Sequence, residues 1–309
     1  MLIKKLIIYL ILVFIITTNT FGLENKILVK IEGEIITNLD VENESKYLLS
    51  LNRNIKNLSD LEIFKISKKS IIKEKIQNIE IKKYFKDLKV PEEYLEQILK
   101  NIYQKIKIKN LSEFKNYLEN NDVDYEYVVK KIEIEALWNE LIISKFSSNI
   151  KINEKKIRQD LIDNNSKFLR SYLLSEIFFE SSDKTDAKKI YNIIKKTIEK
   201  EGFSKAALTY SSSNTSNNGG ELGWVEEVSL NDNLKKTFLK MNKGEFTDFI
   251  TVPGGFMILK IMDIKEIENS QSIEKELKKI INIKKNNQLN QYSKMYFRKI
   301  KKNIKINEL

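Results

Sequence analysis

The chain has 309 residues, 54 Lys+Arg against 43 Asp+Glu for a formal net charge of +11, 41% hydrophobic residues, and neither histidine nor cysteine. The hydrophobic fraction supports packed cores, in about two domains at this length. The two missing residue types exclude a Ser-His-Asp triad, a Cys-His dyad, imidazole metal ligands, disulfides, zinc ribbons and iron–sulfur clusters. No cofactor and no metal site is predicted. The lysine excess accompanies an Ile- and Asn-rich composition and is read as compositional rather than as a nucleic-acid signal.

Residues 1–22 read as an export signal. Lys4 and Lys5 supply the positive region, and Leu6 to Ile16 is an apolar run too short for a comfortable membrane span. Thr20-Phe21-Gly22 places small residues ahead of a cut after Gly22. Retention of the segment as an anchor is the alternative; once it is cleaved, no stable membrane anchor is expected.

Ile27 to Ile31 is β-prone, Glu32-Gly33-Glu34 turns, and Ile35-Ile36 returns. Thr37 and Asp40 cap a helix to about Leu51. A long helix follows from about Asp60 to Leu88, with Ile72, Ile76 and Ile79 on one face. Pro91 starts the next, whose stripe runs Tyr94, Leu95, Ile98, Leu99, Ile102, Tyr103, Ile106. Asn110 and Glu113 cap a short helix. Tyr125 to Ser147 is apolar around much of its circumference, as a central bundle helix would be, and Asn153 caps one more.

The pattern changes near Arg170. Tyr172 to Phe179 is strand-like, Asp183 to Glu201 and Phe203 to Tyr210 are helices, and Gly219 to Trp224 leads into a strand. Asn231 to Leu239 is helical, and Thr247 to Met262 forms a hairpin across Pro253-Gly254-Gly255. From Ser270 onward the pattern is helical and lysine-rich. Gly219-Gly220 lacks the strand-to-helix setting and the Gly-Lys-Ser/Thr ending of a phosphate loop and is read as a turn. Glu221, Glu226 and Glu227 are read as a solvated turn, not an acid/base pair.

Residues 172–266 resemble a parvulin-type (PpiC-like) peptidyl-prolyl isomerase domain. Gly-Gly-Glu-Leu-Gly-Trp at 219–224, Lys243-Gly244-Glu245 and Gly255-Phe256-Met257-Ile258-Leu259-Lys260 match the family's motifs in order and spacing. Phe203-Ser204-Lys205-Ala206-Ala207, followed by Tyr210-Ser211, resembles the helix before its active-site loop. Ile27 to Leu39 and the helices after it resemble the opening of SurA-type periplasmic chaperones.

The resemblance implies an α+β chain. Residues 1–22 are a signal peptide and 23–168 an N-terminal helical chaperone module. Residues 169–267 are an inserted parvulin-like domain, a small antiparallel sheet flanked by helices. Residues 268–309 are a C-terminal helix completing the module.

It also implies a function: a periplasmic chaperone for unfolded outer-membrane protein segments and other extended apolar peptides, with no nucleic-acid partner. Active parvulins place histidines where this chain has Glu176 and Met257, and their Cys/Asp loop position falls near Ser213. The proline pocket would use Leu222, Trp224, Leu230 and Leu234. A carboxylate and a thioether replacing the histidines imply weak or lost isomerase activity. A working peptidyl-prolyl cis-trans isomerase that tolerates both replacements is the alternative.

Overall fold

The structure, a computed structural model, describes residues 25–309 apart from 53, 54, 57, 88, 164–167, 214 and 269–272. The expected signal segment lies outside the described residues. Strands β1 (Ile27–Ile31) and β2 (Glu34–Thr37) form a hairpin. Both residues of its Glu32-Gly33 turn have positive φ, the geometry that matches strand twist in two-residue hairpins. Thr37 then closes a capping box: Asp40 donates its N–H to Thr37 Oγ1 at 3.2 Å, and Thr37 N–H donates to Asp40 Oδ2 at 2.7 Å.

Five more helices follow the first, α1 (Asn38–Leu51): α2 (Asp60–Ile81), α3 (Glu92–Lys105), α4 (Leu111–Glu119), α5 (Tyr125–Phe146) and α6 (Glu154–Asp163). Helix α2 ends at Ile81, short of the predicted end. Lys83 and Tyr84 donate to carbonyls three residues back, tightening the last turn, and Lys82 turns to Glu34 at 3.1 Å.

Helix α10 (Ile273–Asn303) returns to these helices from the far end of the chain. Its Leu289 and Ile300 are buried with Ile76, Trp138, Leu141 and Ile142, and Tyr292 stacks on Phe146 at 4.9 Å. The indole N–H of Trp138 donates to Ser293 Oγ at 2.8 Å, so the largest buried side chain keeps its polar atom satisfied. A strand not anticipated from the sequence, β7 (Ile306–Glu308), pairs with β1 on the side away from β2.

A second sheet, order β4-β3-β6-β5, is antiparallel throughout: β3 (Phe168–Phe179), β4 (Glu221–Glu226), β5 (Ile250–Val252) and β6 (Gly255–Glu268). Three helices lie between its strands in sequence: α7 (Lys184–Glu201), α8 (Phe203–Tyr210) and α9 (Asp232–Phe238).

Strand β3 is buried on both faces. Ile177 and Phe179 pack with Ala187, Ile194 and Phe203 of α7 and α8. Tyr172 and Leu174 pack with Leu230, Phe238, Leu259 and Ile261. The alternation puts Glu176 on the second face, where it must find partners inside the protein. The whole is an α+β architecture.

Candidate functional site

Glu176 is 5% exposed. Its carboxylate is held from two directions. Ser213 Oγ donates a short hydrogen bond to Oε1, and Thr215 Oγ1 donates to the same oxygen at 3.0 Å. From α10, the Lys294 ammonium lies 3.3 Å from both carboxylate oxygens and 4.7 Å from the centre of the Phe178 ring. Burial without partners would make this carboxylate costly; here every direction is answered by a donor.

The loop from Ser211 to Gly220 is stitched to β3. Ser212 N–H donates to Phe178 O at 2.7 Å, Phe178 N–H to Ser211 Oγ at 3.1 Å, and Glu176 N–H to Gly220 O at 2.8 Å. Gly220 has φ +83°, and a Cβ there would lie 2.2 Å from the Glu176 carbonyl oxygen. The Gly-Gly pair is therefore a close approach between loop and strand.

The residues predicted from sequence fall into three groups. Glu176 and Ser213 are brought together. Leu230, Leu234 and Met257 join the apolar cluster on the same sheet face, where Met257 pairs with Phe178. Leu222 and Trp224 do not join them. Trp224 pairs with Leu173, which alternation sets on the face opposite Tyr172 and Leu174. It is 43% exposed under Lys265 Nζ at 4.0 Å. Leu222 is the extra residue of a bulge, next to Gly223 at φ +81°, and is 41% exposed.

Further residues carry the site. Thr215 and Lys294 complete the Glu176 cluster; nothing distinguishes Lys294 in sequence from its many lysine neighbours. Lys69 on α2 donates to Ser211 O at 2.6 Å, and Asn217 Nδ2 to Ser70 Oγ at 3.3 Å, so α2 docks on the loop. Lys205 of α8 pairs with Glu62 at 2.6 Å and holds the Glu62 carboxyl down at about 2. Between α2, the loop and the end of α10 lies a cleft of about 620 Å³. Leu61, Phe64 and Ile72 line it from α2, Ser211–Ser213 and Asn217 from the loop, and Phe297 and Lys301 from α10. Phe64 is exposed to it.

Residues 174–263 match the family model of the rotamase, the PPIC-type PPIASE domain; this segment is a parvulin-type domain. The chain is 24% identical over 188 residues to Chaperone SurA of Pseudomonas syringae pv. tomato, a match covering 57% of this chain and 43% of that protein. It thus spans less than half the length of that relative. A structure from Campylobacter jejuni, where PEB4 and the periplasmic protein Cj1289 are described as SurA-like chaperones, is 18% identical, covers 92% of this chain and 99% of its own, and has a TM-score of 0.36. PrsA from Bacillus subtilis is 18% identical, covers 90% and 92%, and has a TM-score of 0.30. Neither superposition is close enough to transfer a site. The chain resembles SurA-type chaperones and carries one parvulin-type domain at 174–263. Among the described residues no helix is long and apolar enough to cross a membrane.

Proposed function

We propose that this protein is a periplasmic chaperone that holds extended, unfolded outer-membrane protein segments without ATP, and that its parvulin-type domain is a binding lobe with weak or no isomerase activity. The observation that carries the reading is the cleft between α2 and the Ser211–Asn217 loop. It joins apolar side chains of the helical half to the hydroxyls and backbone of the parvulin half. An extended segment in it would bury apolar side chains against Phe64 and Ile72 and offer its backbone to Ser212 and Ser216. On this reading residues 1–22 are a signal peptide, 23–168 and 268–309 make one chaperone module, and 169–267 are inserted in it.

The isomerase part follows from hydrogen-bond supply. A prolyl isomerase must favour a twisted amide against a barrier of about 18–20 kcal/mol, and donors aimed at that amide do the work. Ser213, Thr215 and Lys294 spend their donors on Glu176, and Met257 has none to give. A paired assay tests both halves on protein beginning at Leu23. One arm follows cis-to-trans exchange of an X-Pro bond in a short peptide, the other aggregation of an unfolded outer-membrane porin. Suppressed aggregation without rate enhancement is expected. Rate enhancement without suppression would make the protein a working isomerase instead.

A further inference from the structure

We infer that this cleft selects extended peptide segments that carry a carboxylate beside an apolar side chain, with Lys69 and Lys301 receiving the carboxylate and Phe64 the apolar group. The inference rests on the chaperone reading and sharpens it. Five lysines and two glutamates line the cleft. Both glutamates are engaged at its edges: Glu308 with Lys68 at 2.7 Å and Glu180 with Arg298 at 3.5 Å. The loop wall opposite α2 offers serines and an asparagine but no acid. Lys65, Lys69 and Lys301 thus line a space whose two glutamates each pair with another cation.

Gathering like charges is costly unless something anionic enters. Lys69 and Lys73 stand one turn apart on α2, and Lys301 approaches from α10. Lys69 stays open to solvent through the cleft, yet the surrounding protein pushes its ammonium down to about 8, with Lys301 adding to the effect and Glu180 opposing it. Lys73 is likewise pushed down to about 8 by burial, then by Lys69 and Lys294, against the opposing pull of Glu135. A carboxylate among them relieves the repulsion and gains charge-assisted hydrogen bonds. The neighbouring Phe64, Leu61 and Ile72 require an apolar group on the same ligand. The volume suits a short stretch of extended chain.

The test uses labelled short peptides with capped ends, identical except that Asp alternates with Phe in one and Asn with Phe in the other. A third is the Asn peptide with a free C-terminal carboxylate. Fluorescence anisotropy at low salt should show the Asp peptide binding about tenfold tighter than the Asn peptide. The difference should shrink at high salt. It should close in Lys69→Met/Lys301→Met but persist in Lys100→Met/Lys105→Met, which removes the same charge from α3. If the third peptide gains as much as the Asp peptide, the chain terminus is a source of the carboxylate; if only the Asp peptide gains, side chains are. Equal binding of all three overturns the inference and leaves the chaperone reading standing. A preference that survives Lys69→Met/Lys301→Met overturns the site. Absence of binding by every peptide overturns both.

Discussion

Lys294 and Glu176, 118 residues apart in the chain, form an ion pair that crosses from the returning C-terminal helix into the central strand of the parvulin-type domain. The lysine side chain is 20% exposed and the glutamate 6%. Removing one partner leaves the other charge buried, and Lys294→Met should cost about 2–3 kcal/mol, discounted for its residual exposure. Lys294→Met combined with Glu176→Leu should regain most of that loss, because an apolar pair fills the site without a desolvated charge. Urea denaturation of the two variants measures both; an equal loss in each would show that the lone buried carboxylate is not the source of the cost.

Gly220 and Gly223 separate two costs that positive φ usually mixes. Both lie near φ +80°, but only at Gly220 does a Cβ meet backbone. Gly223→Ala should cost about 1–2 kcal/mol, the left-handed conformation alone. Gly220→Ala should cost about 3 kcal/mol or more, since the loop must leave β3, and should raise amide exchange at Phe178 and Glu176. Thermal melts and hydrogen exchange distinguish the two.

The cleft lysines make stability depend on pH. Lys69 and Lys73 have folded values of about 8 against 10.5 unfolded, so the unfolded chain binds their protons more tightly. Their penalty is present below about pH 8 and is relieved as pH rises from about 8 towards 10.5. Buried Tyr47 and Tyr127 are raised above their ordinary 10.0, so they contribute the opposite trend only above that pH. Lys73 faces Lys69 on its own helix, Lys294 on α10 and Glu135 on α5. Lys73→Met should raise the melting temperature at neutral pH, and the gain should narrow by about pH 9.5. A gain independent of pH would place its origin in packing.

Leu222 and Trp224 should be dispensable for peptide capture. Ser at either position should leave peptide affinity unchanged, and Trp224→Ser should cost no more than about 1 kcal/mol, part of it the contact with Lys265. A loss of affinity in anisotropy titrations would bring that sheet face back into the binding site.

What was legible in the sequence was local. The Thr37–Asp40 box and the Asn110 cap each depend on residues within one turn. The α+β class and the parvulin motifs were legible through a resemblance that rests on the order and spacing of short motifs. The face on which Leu222 and Trp224 lie was not, because a bulge at Leu222 changes the register and motif order carries no record of it. Lys294 was invisible because its partner is distant and its surroundings are lysine-rich. Strand β7 was missed because three residues after a helix carry too little alternation to announce a strand. Its cause is the open edge of β1 that it covers.

That last strand also sets an order of events. Val29 pairs with Glu308 and Ile31 with Ile306, so a sheet begun by the first described residues is finished by the last. The second sheet draws only on residues between Phe168 and Glu268. The parvulin-type sheet can therefore close before α10 docks. The helical core that receives α10 keeps its apolar surface uncovered until that helix and β7 return to it. Until β1 and β7 meet, the helical half of this protein exposes the kind of apolar surface that a chaperone covers in others.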